Sequence, residues 1–407
     1  MPLDAIRGLG RLEGDAAQVT GVEIDSRRVS AGDLFVALGG GAAFLDDARA
    51  RGAGATLVPD DGFAAMAAIG RAVRERSSAR VVAITGSVGK TSTKDILTAL
   101  LRPHVELVAA EDGFNNELGL PLTLCRLEPS TEVAVTEMGM RGAGQIRALA
   151  EIAQPDVALI TAIAPVHLEL LGSIENVARA KAELLEALAP GGVAVLPADA
   201  PELEPFVPAS VEVLRFSQPE VDVRDGRAYV RFEGREVAFS FSARHQARNA
   251  AAALTVCAAL GIPPPDDIVE VSFSRWRSQE RELPGGGLLI NDAWNANPVA
   301  MQAALVHLHD RAEGRRTVAI LGEMAELGDE ARRFHEEIGR AAEKVDVVIG
   351  VGPLARAYEP DAWAPDASAA VTLARELVQP GDAVLVKGSR SVGLEVVAEA
   401  LSGVTAP

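Results

Sequence analysis

Residues 81–92 constrain the fold of this chain more than any other segment. Residues 81–84 are apolar and typical of a buried strand, and a glycine-rich turn follows them. Lys90, Thr91 and Ser92 then open a helical pattern. A strand, a glycine loop and a helix N-terminus in this order direct backbone N–H groups at a phosphate. We therefore expect a nucleotide site in which Lys90 reaches the terminal phosphates and the Thr91 hydroxyl binds magnesium.

The glycine spacing of this loop is unusually short. Only Ser87 and Val88 separate Gly86 from Gly89, whereas the common phosphate-binding loop has four residues before its Gly-Lys pair. A tight strand-to-helix turn would explain the glycines without any ligand. It would not explain the Lys-Thr pair that follows them, so phosphate binding is the favoured interpretation.

Composition narrows the class of protein. A chain of 407 residues has room for two or three domains. Its net charge of −18 argues against nonspecific binding to nucleic acid. The sequence shows no signal-peptide pattern, and its longest apolar run, residues 250–262, is too short to span a bilayer. Both cysteines, Cys125 and Cys257, lie in apolar surroundings, so we expect buried thiols in a cytoplasmic protein without membrane insertion.

Periodicity divides the chain into three units. Residues 1–78 mix short strands with turns, for example at 22–27 and 34–38. Residues 79–283 alternate apolar strands, expected at 81–85, 133–137, 157–163 and 193–196, with helical patterns. This alternation predicts a parallel sheet with helices on both faces. Residues 284–407 form a second α/β unit, and the Pro-Gly-Gly-Gly run at 284–287 predicts the linker between the two.

Polar residues follow two predicted strands of the central unit. Glu137 closes the strand at 133–137, and His167 follows the strand at 157–163. Ligands of open α/β sheets bind at the carboxyl ends of the strands, so both side chains are expected near the glycine loop. A carboxylate beside Thr91 would hold magnesium. Taken alone, Glu137 is better explained as a solvated acid, His167 as a loop histidine, and Lys181 as an exposed helical lysine.

Taken together, these motifs resemble those of the Mur ligases, the ATP-dependent enzymes that build the peptide stem of peptidoglycan. The resemblance covers nearly the whole chain. It rests on the short glycine loop and on the runs Asn115-Asn116-Glu117-Leu118-Gly119, Glu137-Met138-Gly139, His167-Leu168-Glu169, Lys181-Ala182-Glu183 and Lys387-Gly388-Ser389-Arg390. Two further runs, at 291–298 and 321–328, are most similar to the branch that adds D-alanyl-D-alanine. Family members commonly carry Asp-Gly-His-Phe where this chain has a reduced loop at 39–44, and tyrosine at the position of Trp294.

The resemblance implies roles for individual residues. The expected ATP contacts are Gly86, Ser87, Val88, Gly89, Lys90, Thr91, Ser92, Asn249, Arg277 and Asp292. Thr91 and Glu137 would bind one magnesium ion and His167 a second, and Lys181 matches a lysine that carbon dioxide carbamylates to give another metal ligand. The expected catalytic residues are Lys90, His167 and Lys181. The expected substrate contacts are Ser26, Arg27, Asn116, Asn295 and Asn297.

The resemblance also implies a three-domain α/β fold and a reaction. Residues 1–78 would bind the UDP part of a substrate, a central P-loop domain with a parallel sheet (79–283) would bind ATP, and a Rossmann-like C-terminal domain (284–407) would bring the amine. The substrates would be UDP-N-acetylmuramoyl-tripeptide and D-alanyl-D-alanine, and they would be joined through an acyl-phosphate intermediate. The enzyme would be a monomer. The alternatives are a Mur-type ligase that adds a single amino acid, a ligase similar to folylpolyglutamate synthase, and a P-loop NTPase without ligase activity.

Overall fold

A computed structural model describes residues 1–14, 16–166 and 168–403. Its strands, within those ranges, form four sheets, each built from consecutive strands of the chain. The units therefore follow one another along the sequence, and the predicted α/β class is confirmed. None of the helices in the described ranges is both long enough and apolar enough to cross a membrane.

The N-terminal unit has a four-stranded sheet in the order β1-β4-β3-β2. Its elements are β1 (Gly10–Glu13), β2 (Val22–Glu23), β3 (Leu34–Val36), α1 (Leu45–Ala50), β4 (Ala55–Pro59) and α2 (Gly62–Arg74). The strand expected at 22–27 ends early, because the Asp25 carboxylate accepts a hydrogen bond from the Arg27 N–H and caps a 3₁₀ turn, Ser26–Arg28. The reduced loop also folds as a 3₁₀ helix, Gly39–Phe44.

The central unit has a six-stranded sheet in the order β10-β9-β8-β5-β7-β6, with every neighbouring pair parallel. Its strands are β5 (Arg80–Thr85), β6 (Leu107–Ala109), β7 (Val133–Glu137), β8 (Val157–Ile160), β9 (Val193–Pro197) and β10 (Glu212–Phe216). Alternate residues of β5 enter different cores, Val81 on one face and Val82 on the other. Burial on both faces explains why this strand is a continuous apolar run in the sequence.

Helices cover both faces of this sheet. They are α3 (Lys90–Leu101), α4 (Gly119–Leu124), α5 (Gln145–Ala153), α6 (Leu168–Leu171), α7 (Ile174–Glu186) and α8 (Gln246–Leu260). Helices α3 and α8 pack together on one face, while α5 and α7 pack on the other. The helix that follows the glycine loop is therefore held between the sheet and α8.

A small antiparallel sheet inserted before α8 has no counterpart in the sequence-based prediction. It consists of β11 (Val221–Arg224), β12 (Arg227–Phe232) and β13 (Arg235–Phe239). The two-residue turns Asp225-Gly226 and Glu233-Gly234 adopt left-handed backbone angles, as hairpin turns of this length require. The Asp-Gly and Glu-Gly pairs between alternating apolar residues were the signals that could have identified it.

The C-terminal unit has a six-stranded sheet in the order β14-β15-β19-β16-β17-β18. Its strands are β14 (Gln279–Leu283), β15 (Gly287–Asp292), β16 (Thr317–Gly322), β17 (Val347–Val351), β18 (Ala362–Ala364) and β19 (Ala383–Lys387). Its helices are α9 (Pro298–Ala312), α10 (Ala331–Ala341), α11 (Ala367–Leu377) and α12 (Glu395–Ser402). Strand β14 is antiparallel to β15, and the other neighbouring strands are parallel.

The predicted linker at 284–287 is wrong. These residues form the turn of the β14–β15 hairpin, in which Gly285 and Gly286 take the left-handed angles that glycine permits. A Pro-Gly-Gly-Gly run is typical of a tight turn as well as of a linker, and only the strand pairing distinguishes the two. Because β14 belongs to the C-terminal sheet, that unit begins before Gln279 and not at residue 284.

The connection between the two large units is instead the segment 274–278. The backbone N–H and the hydroxyl of Ser274 both donate to Asp95 on α3, at 2.8 and 3.0 Å. On the other side, the Ser278 N–H donates to the Asp292 carboxylate at 3.0 Å. Trp276 and Ser278 both have positive φ angles, which carry backbone strain in residues other than glycine. Rotation between the units would therefore be taken up at residues 275–278.

A partly buried carboxylate joins the same two units a short distance away. Glu280 on β14 accepts hydrogen bonds from Ser242 (2.6 Å), which precedes α8, and from Arg311 of α9 (3.0 Å). His307 Nε2 lies 2.9 Å from the same carboxylate. Burial raises the pKa of Glu280, but the interactions with His307, Arg311 and Ser242 outweigh it and hold the pKa at about 2.

Glu280→Gln is expected to destabilise the protein on the order of 3 kcal/mol at neutral pH, because the glutamine loses the charge that Arg311 pairs with. The folded pKa lies below the unfolded value, so this stabilisation is present above about pH 4.5 and lost as the pH falls toward 2. Thermal unfolding measured from pH 3 to 8 should show a difference from the wild type that shrinks on acidification. Glu282→Gln, exposed on the same strand, is the matched control, and an equal effect of both substitutions would contradict the prediction.

Candidate active site

The glycine loop lies at the carboxyl end of β5, the position that local sequence predicts. Gly86 and Gly89 have φ angles of 149° and 85°. A Cβ atom on Gly86 would lie 2.0 Å from the Thr161 hydroxyl, so only glycine fits there. The Thr161 hydroxyl donates to the Val88 carbonyl at 2.6 Å and holds the loop in place. Helix α3 begins at Lys90, whose ammonium group donates to the Gly86 carbonyl at 2.8 Å.

Thr91 and Glu137 meet beside this loop although they are 46 residues apart. The Thr91 hydroxyl donates to one Glu137 oxygen at 2.8 Å, and the Asn115 side-chain amide donates to the other at 2.8 Å. Glu137 ends β7, which is paired directly with β5. Asn115 is a positioning residue that the sequence-based roles omitted, although its motif was noted.

The Thr91–Glu137 pair fits a magnesium ion. A hydroxyl and a carboxylate are the hard oxygen donors that Mg²⁺ prefers, and the ion normally completes its shell with substrate phosphates and water. No group of three or more His, Cys, Asp or Glu side chains suited to a metal occurs in the part of the chain that the structure describes. A metal here would therefore depend on the nucleotide for further ligands. His167, expected as a second ligand, lies outside the described residues.

A cleft of about 300 Å³ surrounds this loop. Asn249 of α8 is packed against the loop so closely that a Cβ on Gly89 would lie 2.3 Å from its side-chain oxygen. Arg277, from the connection between the units, and Asp292, from the end of β15, line the opposite wall. The structure thus brings the expected nucleotide contacts, except Gly86, into one cleft between the central and C-terminal units. Those lining it are Ser87, Val88, Gly89, Lys90, Thr91, Ser92, Asn249, Arg277 and Asp292.

Lys387 also lines this cleft, and the sequence-based roles did not include it. Its buried ammonium group donates to Asp292 at 2.5 Å and to the Asn295 carbonyl at 3.0 Å. The second Asp292 oxygen accepts the Ser278 N–H. Asp292 is therefore fixed through both oxygens. No local sequence signal identifies this pair, because the parallel pairing of β19 with β15 is what brings the two strand ends together.

His245 connects the nucleotide cleft to the Glu280 joint. It lines the cleft and packs edge-to-face on His307, with 5.7 Å between ring centroids. Burial, followed by the neighbouring His307, lowers the pKa of His245 to about 4. The imidazole is therefore neutral at physiological pH, and the positively charged side chains that line the cleft are those of Lys90, Arg248, Arg277 and Lys387.

A second cleft, of about 630 Å³, adjoins the first. Ser87, Lys90, Asn295 and Asn297 line both. Lys90 therefore stands where the two cavities meet, with the nucleotide cleft on one side and the larger cleft on the other. A group transferred from a nucleotide to a ligand in the larger cleft would pass this lysine.

The expected substrate contacts divide into two groups. Asn116, Asn295 and Asn297 line the larger cleft. Asn116 accepts two backbone N–H groups ahead of α4, and Asn297 caps α9, so both side chains also have structural roles. Ser26 and Arg27 reach neither cleft: Ser26 is buried, and Arg27 is exposed and paired with Asp25 at 2.6 Å. Their role in binding the nucleotide part of a substrate stays a prediction.

Lys181 is not a surface lysine. It is 2% exposed, on the face of α7 that borders the larger cleft. Burial, followed by the charge of Lys90, lowers its pKa well below the usual value. Among the described residues its ammonium nitrogen has no hydrogen-bond or ion-pair partner. Glu183, two residues on, has a structural role, since its carboxylate accepts the Gly144 and Arg147 N–H groups at the start of α5.

Part of the C-terminal wall of the larger cleft is formed by residues 325–327. His335 accepts the Met324 N–H at 3.0 Å and directs Nδ1 at the Ala331 carbonyl, so the proton is on Nδ1. The Ser389 hydroxyl accepts the Ala325 N–H at 2.9 Å. The motif noted in the sequence around residue 321 therefore shapes a wall of the cleft, and His335 supports it from behind.

Comparison with known proteins agrees with this architecture. Residues 84–257 match the Mur ligase middle domain, and residues 276–390 match the Mur ligase glutamate ligase domain. The UDP-N-acetylmuramoyl-tripeptide–D-alanyl-D-alanine ligase of Mycobacterium tuberculosis is 36% identical, over 95% of this chain and 93% of that protein.

Two crystal structures extend the comparison. MurF of Acinetobacter baumannii superposes with a TM-score of 0.86 at 27% identity, covering 99% of this chain and 98% of that one. MurF of Thermotoga maritima in complex with ADP gives a TM-score of 0.83 at 29% identity, covering 94% and 97%. With agreement along its whole length, this chain belongs to the Mur ligase family and, within it, to the MurF group.

Proposed function

We propose that this protein is an ATP-dependent ligase that joins D-alanyl-D-alanine to UDP-N-acetylmuramoyl-tripeptide in the synthesis of peptidoglycan precursors. The observation that carries the proposal is the junction of two clefts at Lys90, one bearing a phosphate-binding loop and the other large enough for a peptide substrate. The relatives named above, which catalyse this reaction, support the choice of substrates.

In the first step, the terminal carboxylate of the tripeptide attacks the γ-phosphorus of ATP. The bond to the β–γ bridging oxygen breaks, and an acyl phosphate and ADP result. The glycine loop and Lys90 hold the phosphates in line with the carboxylate, and Arg277 adds positive charge from the facing wall. Magnesium bound at Thr91 and Glu137 would neutralise charge that builds on the transferred phosphoryl group.

We assign Lys181 as the residue that carbon dioxide carbamylates. Its lowered pKa favours the neutral amine, and only a neutral amine has the lone pair that attacks carbon dioxide. An N–C bond forms, one C–O electron pair moves onto oxygen, and the nitrogen releases a proton to solvent. The product is an anion with two oxygens, which suits a site beside Lys90 and supplies hard ligands for a metal, together with His167.

In the second step, the amine of D-alanyl-D-alanine attacks the acyl carbon and expels phosphate, which leaves the amide bond. We propose that the N-terminal unit binds the UDP moiety and that the C-terminal unit, beginning near residue 276, brings the dipeptide. We further propose that the enzyme acts as a monomer in the cytoplasm, where ATP and UDP-linked precursors are available.

The direct test measures ADP and phosphate release from ATP against a panel of UDP-linked acceptors and amines. Release should require both UDP-N-acetylmuramoyl-tripeptide and D-alanyl-D-alanine, and should yield the UDP-linked pentapeptide by mass. Single amino acids with UDP-dipeptide acceptors test the Mur-type alternative, and folates with glutamate test the folylpolyglutamate alternative. Turnover that is independent of any amine would indicate an NTPase and refute the proposal.

A further inference from the structure

Few cationic side chains line the larger cleft, and most of them belong to the central unit. Lys90, Arg141, Lys181 and Arg390 line it among the described residues. Lys90 also lines the nucleotide cleft, and Lys181 is buried on the central unit. Arg141 also belongs to the central unit, with its side chain 77% exposed and 3.7 Å from the Glu326 carboxylate. Arg390 is the cation that the C-terminal unit contributes.

Arg390 is held in position by its surroundings. It lies three residues beyond the end of β19 and begins a 3₁₀ turn, Arg390–Val392. Its guanidinium group pairs with Glu395 of α12. It also lies 4.8 Å from the ring centroid of Trp276 and 5.7 Å from that of Trp294, and these two rings stack on each other at 5.9 Å. Such contacts reduce the entropy that a flexible arginine loses when it binds a ligand.

The guanidinium group keeps binding capacity beyond these contacts. It carries five N–H donors, more than one carboxylate uses, and the Arg390 side chain is 48% exposed and lines the cleft. The planar fork of arginine matches a carboxylate in a two-point hydrogen bond. The same unit also lines the cleft with the apolar side chains of Ala296, Ala325 and Leu327, among polar ones that include Glu326 and Ser391. A ligand with one carboxylate and short apolar side chains suits this corner.

We propose that Arg390 binds the C-terminal carboxylate of the incoming dipeptide and thereby determines specificity for it. The inference rests on the proposed function. The acyl phosphate has to form at Lys90 on the central unit, so the amine approaches from the facing wall, which the C-terminal unit supplies. An extended dipeptide spans about 7 Å. With its amine at the acyl carbon, its carboxylate is directed along that wall, where Arg390 is the cation available.

The test compares D-alanyl-D-alanine with its C-terminal amide, which has the same shape without the charge. The wild-type enzyme should prefer the acid on the order of 100-fold in kcat/KM. Arg390→Gln should lose about the same factor for the acid and change little for the amide, so the preference disappears. Its KM values for ATP and UDP-tripeptide should stay at wild-type levels. Arg141→Gln, the matched arginine of the same cleft, should keep the preference.

The outcomes separate this inference from the proposed function. If the wild type does not ligate D-alanyl-D-alanine, the proposed function fails. If it does, and Arg390→Gln keeps the acid preference, Arg390 only supports the two tryptophans and the inference is overturned. Equal loss for acid and amide would also overturn it, since a defect in folding or domain arrangement does not distinguish the two. If Arg141→Gln loses the preference for the acid instead, the dipeptide carboxylate binds at Arg141. If Arg390→Gln raises the KM for UDP-tripeptide, Arg390 contacts that substrate and the carboxylate site lies elsewhere.

Discussion

Lys181→Ala is expected to lower ligase turnover by about 100- to 1,000-fold, which is the usual cost of removing one group that stabilises transition-state charge. The variant loses the anion that carbamylated Lys181 would place beside the phosphoryl group. Binding of an ATP analogue should persist, because the nucleotide cleft is lined by the glycine loop and Asn249 and not by residues of α7. Turnover and nucleotide affinity measured on one preparation separate these two effects.

Chemical rescue gives the sharper measurement. Acetate and similar short carboxylic acids should restore part of the activity of Lys181→Ala, because they fit the vacated volume and supply a carboxylate near the metal. The wild-type enzyme should lose activity in buffers stripped of carbon dioxide and regain it when bicarbonate is added. Propylamine, which is cationic and of similar length to the missing side chain, is the matched control and should not rescue.

The opposite result would have a clear meaning. Burial of Lys181 already excludes the interpretation as an exposed lysine, so full turnover in Lys181→Ala would make it a buried packing residue. Loss of activity without rescue, accompanied by a lower unfolding temperature, would support the same conclusion. Carbamylation is therefore tested separately from the need for a lysine at this position.

Lys90→Ala is expected to reduce turnover by at least about 100-fold without unfolding the protein. Lys90 is the cation that lines both clefts, and in the proposed reaction it would face the phosphoryl group throughout its transfer. Its ammonium group makes one contact within the loop, with the Gly86 carbonyl, so the fold depends little on it. Steady-state turnover and circular dichroism should show an inactive, folded variant.

Lys344→Ala, which removes an exposed lysine that lines neither cleft, is the matched control. It should retain wild-type turnover and stability within about 0.5 kcal/mol. Near-normal turnover in Lys90→Ala would refute the assignment of the nucleotide site, because no other lysine lines both cavities in the part of the chain that is described.

The sequence was sufficient to predict those parts of the site that are formed by consecutive residues. The glycine loop could be predicted because β5, Gly86, Gly89 and the start of α3 are consecutive in the chain, and backbone sterics allow glycine alone at the left-handed positions. Glu137 could be placed near it by one further rule, since parallel strands end at the same edge of a sheet.

The position of Lys181 and of the connection between the units required the fold. A lysine in an amphipathic helix has the same sequence pattern whether it faces solvent or a cleft, and only the packing of α7 on the central sheet decides which. The run at 284–287 is likewise compatible with a linker or a hairpin turn. The pairing of β14 with β15 shows that the run is a hairpin turn. The connection between the units therefore lies at residues 274–278.

The sequence by itself thus determined the α/β class, the phosphate-binding loop and the family, because each depends on residues that are adjacent in the chain or on motifs in a fixed order. Tertiary structure alone decided which distant groups meet: Asn249 against Gly89, Lys387 on Asp292, Glu280 between two units, and Arg390 beside two tryptophans. The physical reason is that such contacts depend on how helices and sheets pack. Packing is a property of surfaces assembled from separate segments, which no single segment encodes.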